Sequence, residues 1–202
     1  MPILSALLLA YVSIALLPLG LAACLGPTSG ASVLYELGRS LALTAIPIVV
    51  MQPLLTARIQ WIDRFAGSGN CLRFHKAMGV FALVALLLHP ICLAVGGAGL
   101  RLVTSLDFPW FILVGKATLA LLTVHVILAL YRIPLGLNYM RWKKVHLAAA
   151  PLIPAAGLVH SWYAGGDLGI SALQGCWIAL MILTAAMWLR RRFKGVVRRG
   201  LA

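Results

Sequence analysis

Acidic residues are almost missing from this chain: only four of its 202 residues are Asp or Glu. Charged residues of either sign make up just 10%. A water-soluble domain needs far more polar surface to cover its core. CxxC spacing is absent, since Cys24, Cys71, Cys92 and Cys176 stand far apart. That speaks against a zinc or iron–sulfur site and favours small buried residues, with a Cys92–Cys176 disulfide left open. There is no GxGxxG stretch to cradle a dinucleotide, and no solenoid-type repeat. What the chain does have is apolar mass: 62% of it is hydrophobic, with a mean hydropathy of +1.01. The class that remains is an all-α, polytopic integral membrane protein.

A membrane helix takes about 20 apolar residues. The chain divides into six such runs, at about 3–24, 40–57, 74–95, 109–131, 145–164 and 171–189, forming a single domain over 1–202. The first run ends in Leu21-Ala22-Ala23-Cys24, which looks like a lipoprotein cleavage box. It lacks the positive start of a signal peptide, so it is expected to be the first span. Gly26 to Arg39 reads as a polar loop, and Arg58 to Arg73 as a loop with a short interfacial helix around Ile59–Ile62. Pro47 and Pro53 are expected to kink the second span. Gly96-Gly97-Ala98-Gly99 and Gly165-Gly166-Asp167 read as turns. A soluble catalytic domain of ordinary size does not fit beside six spans.

The net charge of +13 first suggests nucleic acid. Its distribution points instead to topology. Of the 17 Lys and Arg, all but Arg39, Arg101 and Lys116 fall in the second and fourth connections or in the tail from Arg190 to Arg199. Basic loops stay on the cytoplasmic side, facing anionic lipid. Both termini are therefore expected in the cytoplasm. The partner is the lipid bilayer, not nucleic acid.

Four histidines form two matched pairs. His75 and His89 are 14 positions apart, and so are His146 and His160. Fourteen helical residues rise about 21 Å and come within about 40° of whole turns. Each pair thus shares one helix face, with one imidazole toward each membrane surface. The third and fifth spans run in the same direction. Facing each other, they present a His–His couple at each end. A lone polar side chain in a membrane is costly and marks function. Haem iron takes one neutral imidazole above and one below, and two haems stacked across the bilayer would conduct single electrons. Gly79 and Ala82 on one face, and Ala150 and Gly157 on the other, leave room for a ring or equally for tight helix packing. Pro90, Pro151 and Pro154 lie where kinks would shift the ideal phase.

Arg73-Phe74-His75-Lys76-Ala77-Met78-Gly79 leading to Leu88-His89-Pro90 resembles the third span of ferric reductase-like transmembrane domains. Trp142-Lys143-Lys144-Val145-His146 leading to Val159-His160 resembles their fifth. That family includes NADPH oxidases, ferric-chelate reductases and the haem-binding subunit of periplasmic methionine sulfoxide reductase systems. The resemblance implies an inner b-type haem on His75 and His146, and an outer one on His89 and His160. Many members continue into flavin- and nicotinamide-binding domains; these 202 residues hold no GxGxxG stretch and are expected to bind neither cofactor. Its length is closer to the methionine sulfoxide reductase subunit, its four histidines to the oxidases and ferric reductases. The donor is expected to be a separate cytoplasmic flavin reductase or quinol, so that flavin sits only on a partner. The acceptor is a ferric chelate, dioxygen or a periplasmic redox protein, and the location is a bacterial inner membrane.

Other polar residues are secondary candidates. Lys116, two turns into the fourth span, suits a haem propionate or a snorkel to the outer surface. Arg39 and Arg101 could pair with outer propionates or attract an anionic oxidant. Arg73, Lys76 and Arg141 could serve the inner side, where topology explains them equally well. His125 has no partner by spacing; a propionate, a quinone or a bond within the bundle would each account for it. Trp110, Trp142, Trp162 and Tyr163 read as interface anchors. Two rivals to the electron conduit are a transporter or channel with a histidine proton path, and a non-enzymatic haem-binding scaffold.

Overall fold

The computed structural model describes residues 2–26 and 30–200, with side chains at 4–26 and 30–190. Part of the expected first loop (27–29) lies outside the described residues, as do the side chains of the expected basic tail beyond Arg190. The architecture is all-helical: α1 (Pro2–Leu25), α2 (Val33–Leu55), α3 (Gln60–Ala66), α4 (Ser68–Leu93), α5 (Arg101–Thr104), α6 (Trp110–Leu130), α7 (Tyr139–Ala164) and α8 (Ser171–Gly200). Six of these are long and apolar enough to cross a membrane. They are α1, α2, α4 with its continuation to Ala98, α6, α7 and the part of α8 up to Arg190.

Three spans start earlier than their apolar runs. α2 begins at Val33, where the Ser32 side chain accepts a hydrogen bond from the Tyr35 amide. α7 begins at Tyr139, where the Asn138 side chain accepts from the amides of Met140 and Arg141 at 2.9 and 3.2 Å. α4 begins at Ser68, after Gly67 takes a positive φ of 76°. In each case the cap, not the edge of the hydrophobic run, sets the first turn. Helices also continue through Pro18, Pro47, Pro53, Pro90, Pro151 and Pro154. The interfacial helix expected near 59–62 is α3. At its far end α4 passes into a π-turn, Ala94–Ala98, closed by glycines 97 and 99 at positive φ. All four cysteines are free thiols.

α2 is the central helix. Leu43 and every residue from Ala45 to Met51 on it are buried. It contributes to both apolar clusters, one with α1, α4, α6 and α7, the other with α1, α7 and α8. The outer faces carry exposed aliphatics such as Leu9, Val124, Leu152 and Ile182, as lipid contact requires. Glycine sets how closely α2 meets α4. A Cβ on Gly38 would come within 2.9 Å of the His89 carbonyl oxygen and 3.0 Å of Leu93 N. Only a residue without a side chain permits this backbone approach.

Arg39, expected in a loop, lies inside α2 and ties the helix ends together. Its guanidinium meets Glu36 at 2.7 Å and Asp167 at 2.8 Å, so one cation serves two of the four acids. Asp167 is only 12% exposed, so solvent screens this link weakly. Arg39→Ala is expected to lose on the order of 2 kcal/mol, the scale of hydrogen bonds to charged groups. That corresponds to a fall of about 5 °C in melting temperature for a chain of this size. Thermal unfolding followed by circular dichroism in detergent checks it; a melting point equal to wild type would show the link to be idle.

Candidate functional site

His75 and His146 each stand seven residues in from the start of their helices, at Ser68 and Tyr139. That is a depth of about 10 Å from the helix ends at the basic side of the bundle. The two imidazoles face each other, with ring centroids 6.3 Å apart and planes at 76°. Both are half-buried. His125, from the last third of α6, joins them. Its ring is stacked on His146 at 4.3 Å and 17°. Trp142, one turn before His146 on α7, is a second neighbour at 4.9 Å and 32°. Arg132 lies over the Tyr139 and Trp142 rings at 5.5 and 5.9 Å, so the cluster reaches the surface through cation–π contacts. A gap of about 50 Å³ between α6 and α7 lies beside the stack.

His89 and His160 lie 14 residues further along α4 and α7, toward the other end of the bundle. They are oriented differently from the first pair. His89 Nδ1 is 2.9 Å from the carbonyl of Gly38, and His160 Nδ1 is 2.7 Å from that of Phe111. A carbonyl oxygen only accepts, so Nδ1 carries the proton in both rings. Nε2 is left as the free lone pair in both, the tautomer that binds a metal. The Phe111 carbonyl is also the one that, in a regular helix, accepts from the amide of residue 115. Gly115 leaves it open to a second donor: a Cβ there would be 2.5–2.7 Å from three atoms of the His160 ring.

Three of the secondary candidates, Lys116, Arg101 and Arg73, have partners within the protein. Lys116 donates to the Ser105 carbonyl and sits 4.9 Å over the Phe108 ring, which pins the loop after α5 to α6. Arg101 meets Asp107 at 3.4 Å, with both side chains largely exposed. Arg73 bonds Asn70 one turn back on α4. Lys76 and Arg141 are exposed at the basic end. Trp110, Phe111 and Tyr163 pack on one another beside the second pair, with Trp110 and Tyr163 4.9 Å apart.

The facing pair fits haem by its spacing, and His89 and His160 fit it by the tautomer their carbonyl partners impose. Metal–imidazole bonds of about 2 Å on opposite sides of one iron put the two ring centroids on the order of 6 Å apart. The His75–His146 spacing has that value. Among the described residues, no group of three or more His, Cys, Asp or Glu forms a cage for a bare ion. Two imidazoles per end suit a metal whose other ligands come from a macrocycle.

The fold and these imidazoles define a polytopic membrane protein with a facing histidine pair, His75 and His146, toward one end of its bundle and two carbonyl-bonded histidines, His89 and His160, further along the same helices. The family model of the ferric reductase like transmembrane component matches residues 40–157, more than half of the chain, and the chain belongs to that family. It is accordingly a transmembrane redox component of a family whose domains generally bind haem. The match includes His75, His89, His125 and His146 and ends three residues before His160. No curated protein and no solved structure gives a significant match.

Spacing on α4 and α7 singled out the four histidines, of which His75 and His146 face each other. It did not anticipate His125, Gly115 or the carbonyls of Gly38 and Phe111. These come from α2 and α6, and a contact between helices leaves no period in either one.

Proposed function

We propose that this chain is a transmembrane di-haem b cytochrome, carrying electrons from a donor at the basic, cytoplasmic end to an acceptor at the outer face. His75 and His146 hold the inner haem, and His89 and His160 the outer one. The observation that carries this is the facing pair of inner imidazoles, at the separation one iron requires. When bound, haem supplies single-electron storage, and two of them supply successive stations across the bilayer. The protein's own part is to present four neutral imidazoles, fix their planes and keep bulk water out. The outer pair is fixed by carbonyls, which raises ligand basicity and favours the ferric state there. With two histidines at each end to hold the metal, an acceptor would take electrons at the edge of the bound group rather than on its iron.

The donor is a separate flavin reductase or a quinol. The acceptor is a ferric chelate, dioxygen or a periplasmic redox protein. Arg73 at one end, and Lys116 and Arg101 at the other, are the candidates to neutralise haem carboxylates, in exchange for their present partners Asn70, Ser105 and Asp107. The basic connections support cytoplasmic termini, and this reading sets the chain in a bacterial inner membrane. Purified from a haem-replete host, the protein is expected to show b-type bands that sharpen on adding dithionite, with two haems per chain by pyridine haemochrome. A colourless protein with intact helices rejects the proposal.

A further inference from the structure

The rings of the two histidine pairs meet different neighbours. Each outer imidazole is bonded through Nδ1 to a backbone carbonyl of another helix. At the inner end the plane of His146 has two aromatic neighbours: His125 at 4.3 Å and 17°, and Trp142 at 4.9 Å and 32°. His125 is nearly parallel to His146, while His75 is turned 76° from it. No hydrogen bond to the His125 ring forms among the described residues, so its near neighbour is the face of His146. An aromatic ring carried by α6 thus lies flat on an inner imidazole from α7.

We propose that His125 is a positioning residue, which by stacking on His146 holds the two inner imidazoles near perpendicular and so sets the ligand geometry of the inner haem. The inference rests on the di-haem assignment and goes beyond it. The physical reason is simple. Rotation about the bond to an imidazole is soft, because terminal sp³–sp² torsions have broad wells. A ring with no fixed neighbour would turn to suit the porphyrin. A stacked ring resists, since offset aromatic contact contributes about 0.5–1.5 kcal/mol and is lost on rotation. The angle between two axial imidazole planes is read directly by the electron paramagnetic resonance of low-spin ferric haem. Perpendicular planes give a strongly anisotropic signal with a large gmax. Planes nearer parallel give a rhombic signal with a smaller one.

The test is the spectrum of the oxidised, haem-loaded full chain. The inner signal is assigned as the one that persists in His89→Ala. In wild type it is expected to be of the large-gmax kind. His125→Phe keeps a flat ring without any titrating or bonding nitrogen, and the gap beside the stack has room for its extra atoms. It is expected to retain the signal. His125→Leu and His125→Gln keep bulk without a ring and are expected to move the inner gmax down, leaving the outer signal and the haem content unchanged. Should the Leu variant fail to accumulate, the Gln variant carries the comparison. An inner signal that stays put without the ring overturns the proposal. So does a shift in the Phe variant as large as in the Leu variant. Absence of haem from wild type would instead sink the di-haem assignment itself, so the two failures are told apart.

Discussion

Replacing any one of the four paired histidines by alanine is expected to roughly halve the haem bound per chain, and the doubles should reveal the pairing. His75→Ala with His146→Ala removes two ligands from one end, so its loss should be no greater than that of either single. His75→Ala with His160→Ala removes one ligand from each end and should leave the chain almost empty. Residues that act as one unit are non-additive in this way, while separate sites add. The geometry supplies the reason. His75 and His146 face each other at 6.3 Å on parallel helices, whereas His89 and His160 lie about 21 Å further along those helices. Haem content by pyridine haemochrome and the count of low-spin ferric signals measure the outcome. A within-pair double that loses everything would show that the ends are not independent. A cross-pair double that keeps half its haem would show that the pairing is wrong.

Gly115→Ala is the second large effect, although residue 115 is expected to touch no cofactor. The added Cβ would stand 2.5–2.7 Å from Cε1, Nδ1 and Nε2 of His160, closer than nonbonded atoms approach. Something must move. The ring is held by the Phe111 carbonyl on the same helix, so it cannot back away and keep its 2.7 Å bond. Loss of such an outer partner costs a metal site about 10–100-fold in affinity. The outer haem should therefore be lost or loosely held, with the inner haem intact. Gly175→Ala is the control. No atom lies within 4 Å of its would-be Cβ, and alanine is the better helix former by about 1 kcal/mol. If Gly115→Ala keeps both haems with unchanged spectra, then His160 is not seated as described.

Much of this was legible in the chain before any fold was known. Six spans follow from apolar length, because a bilayer leaves a backbone few ways to cross it. The two histidine pairs follow from a 14-residue spacing, because a helix turns at a fixed rate. The starts of α2, α4 and α7 were harder to read. Ser32, Gly67 and Asn138 begin those helices in polar sequence, where hydropathy carries no signal. Arg39 likewise looked like a loop residue, and its partner Asp167 lies 128 positions away.

Composition and periodicity, then, determined that the protein is a helical membrane bundle and which four imidazoles could meet in pairs. Both are properties of single helices in a single solvent, and the order of residues is enough to state them. Only the tertiary structure decided what meets those rings: the carbonyls of Gly38 and Phe111 at one end, and the His125 ring at the other. Which atom of one helix lies against which atom of another depends on side-chain packing across the bundle, and no rule of spacing along the chain encodes that.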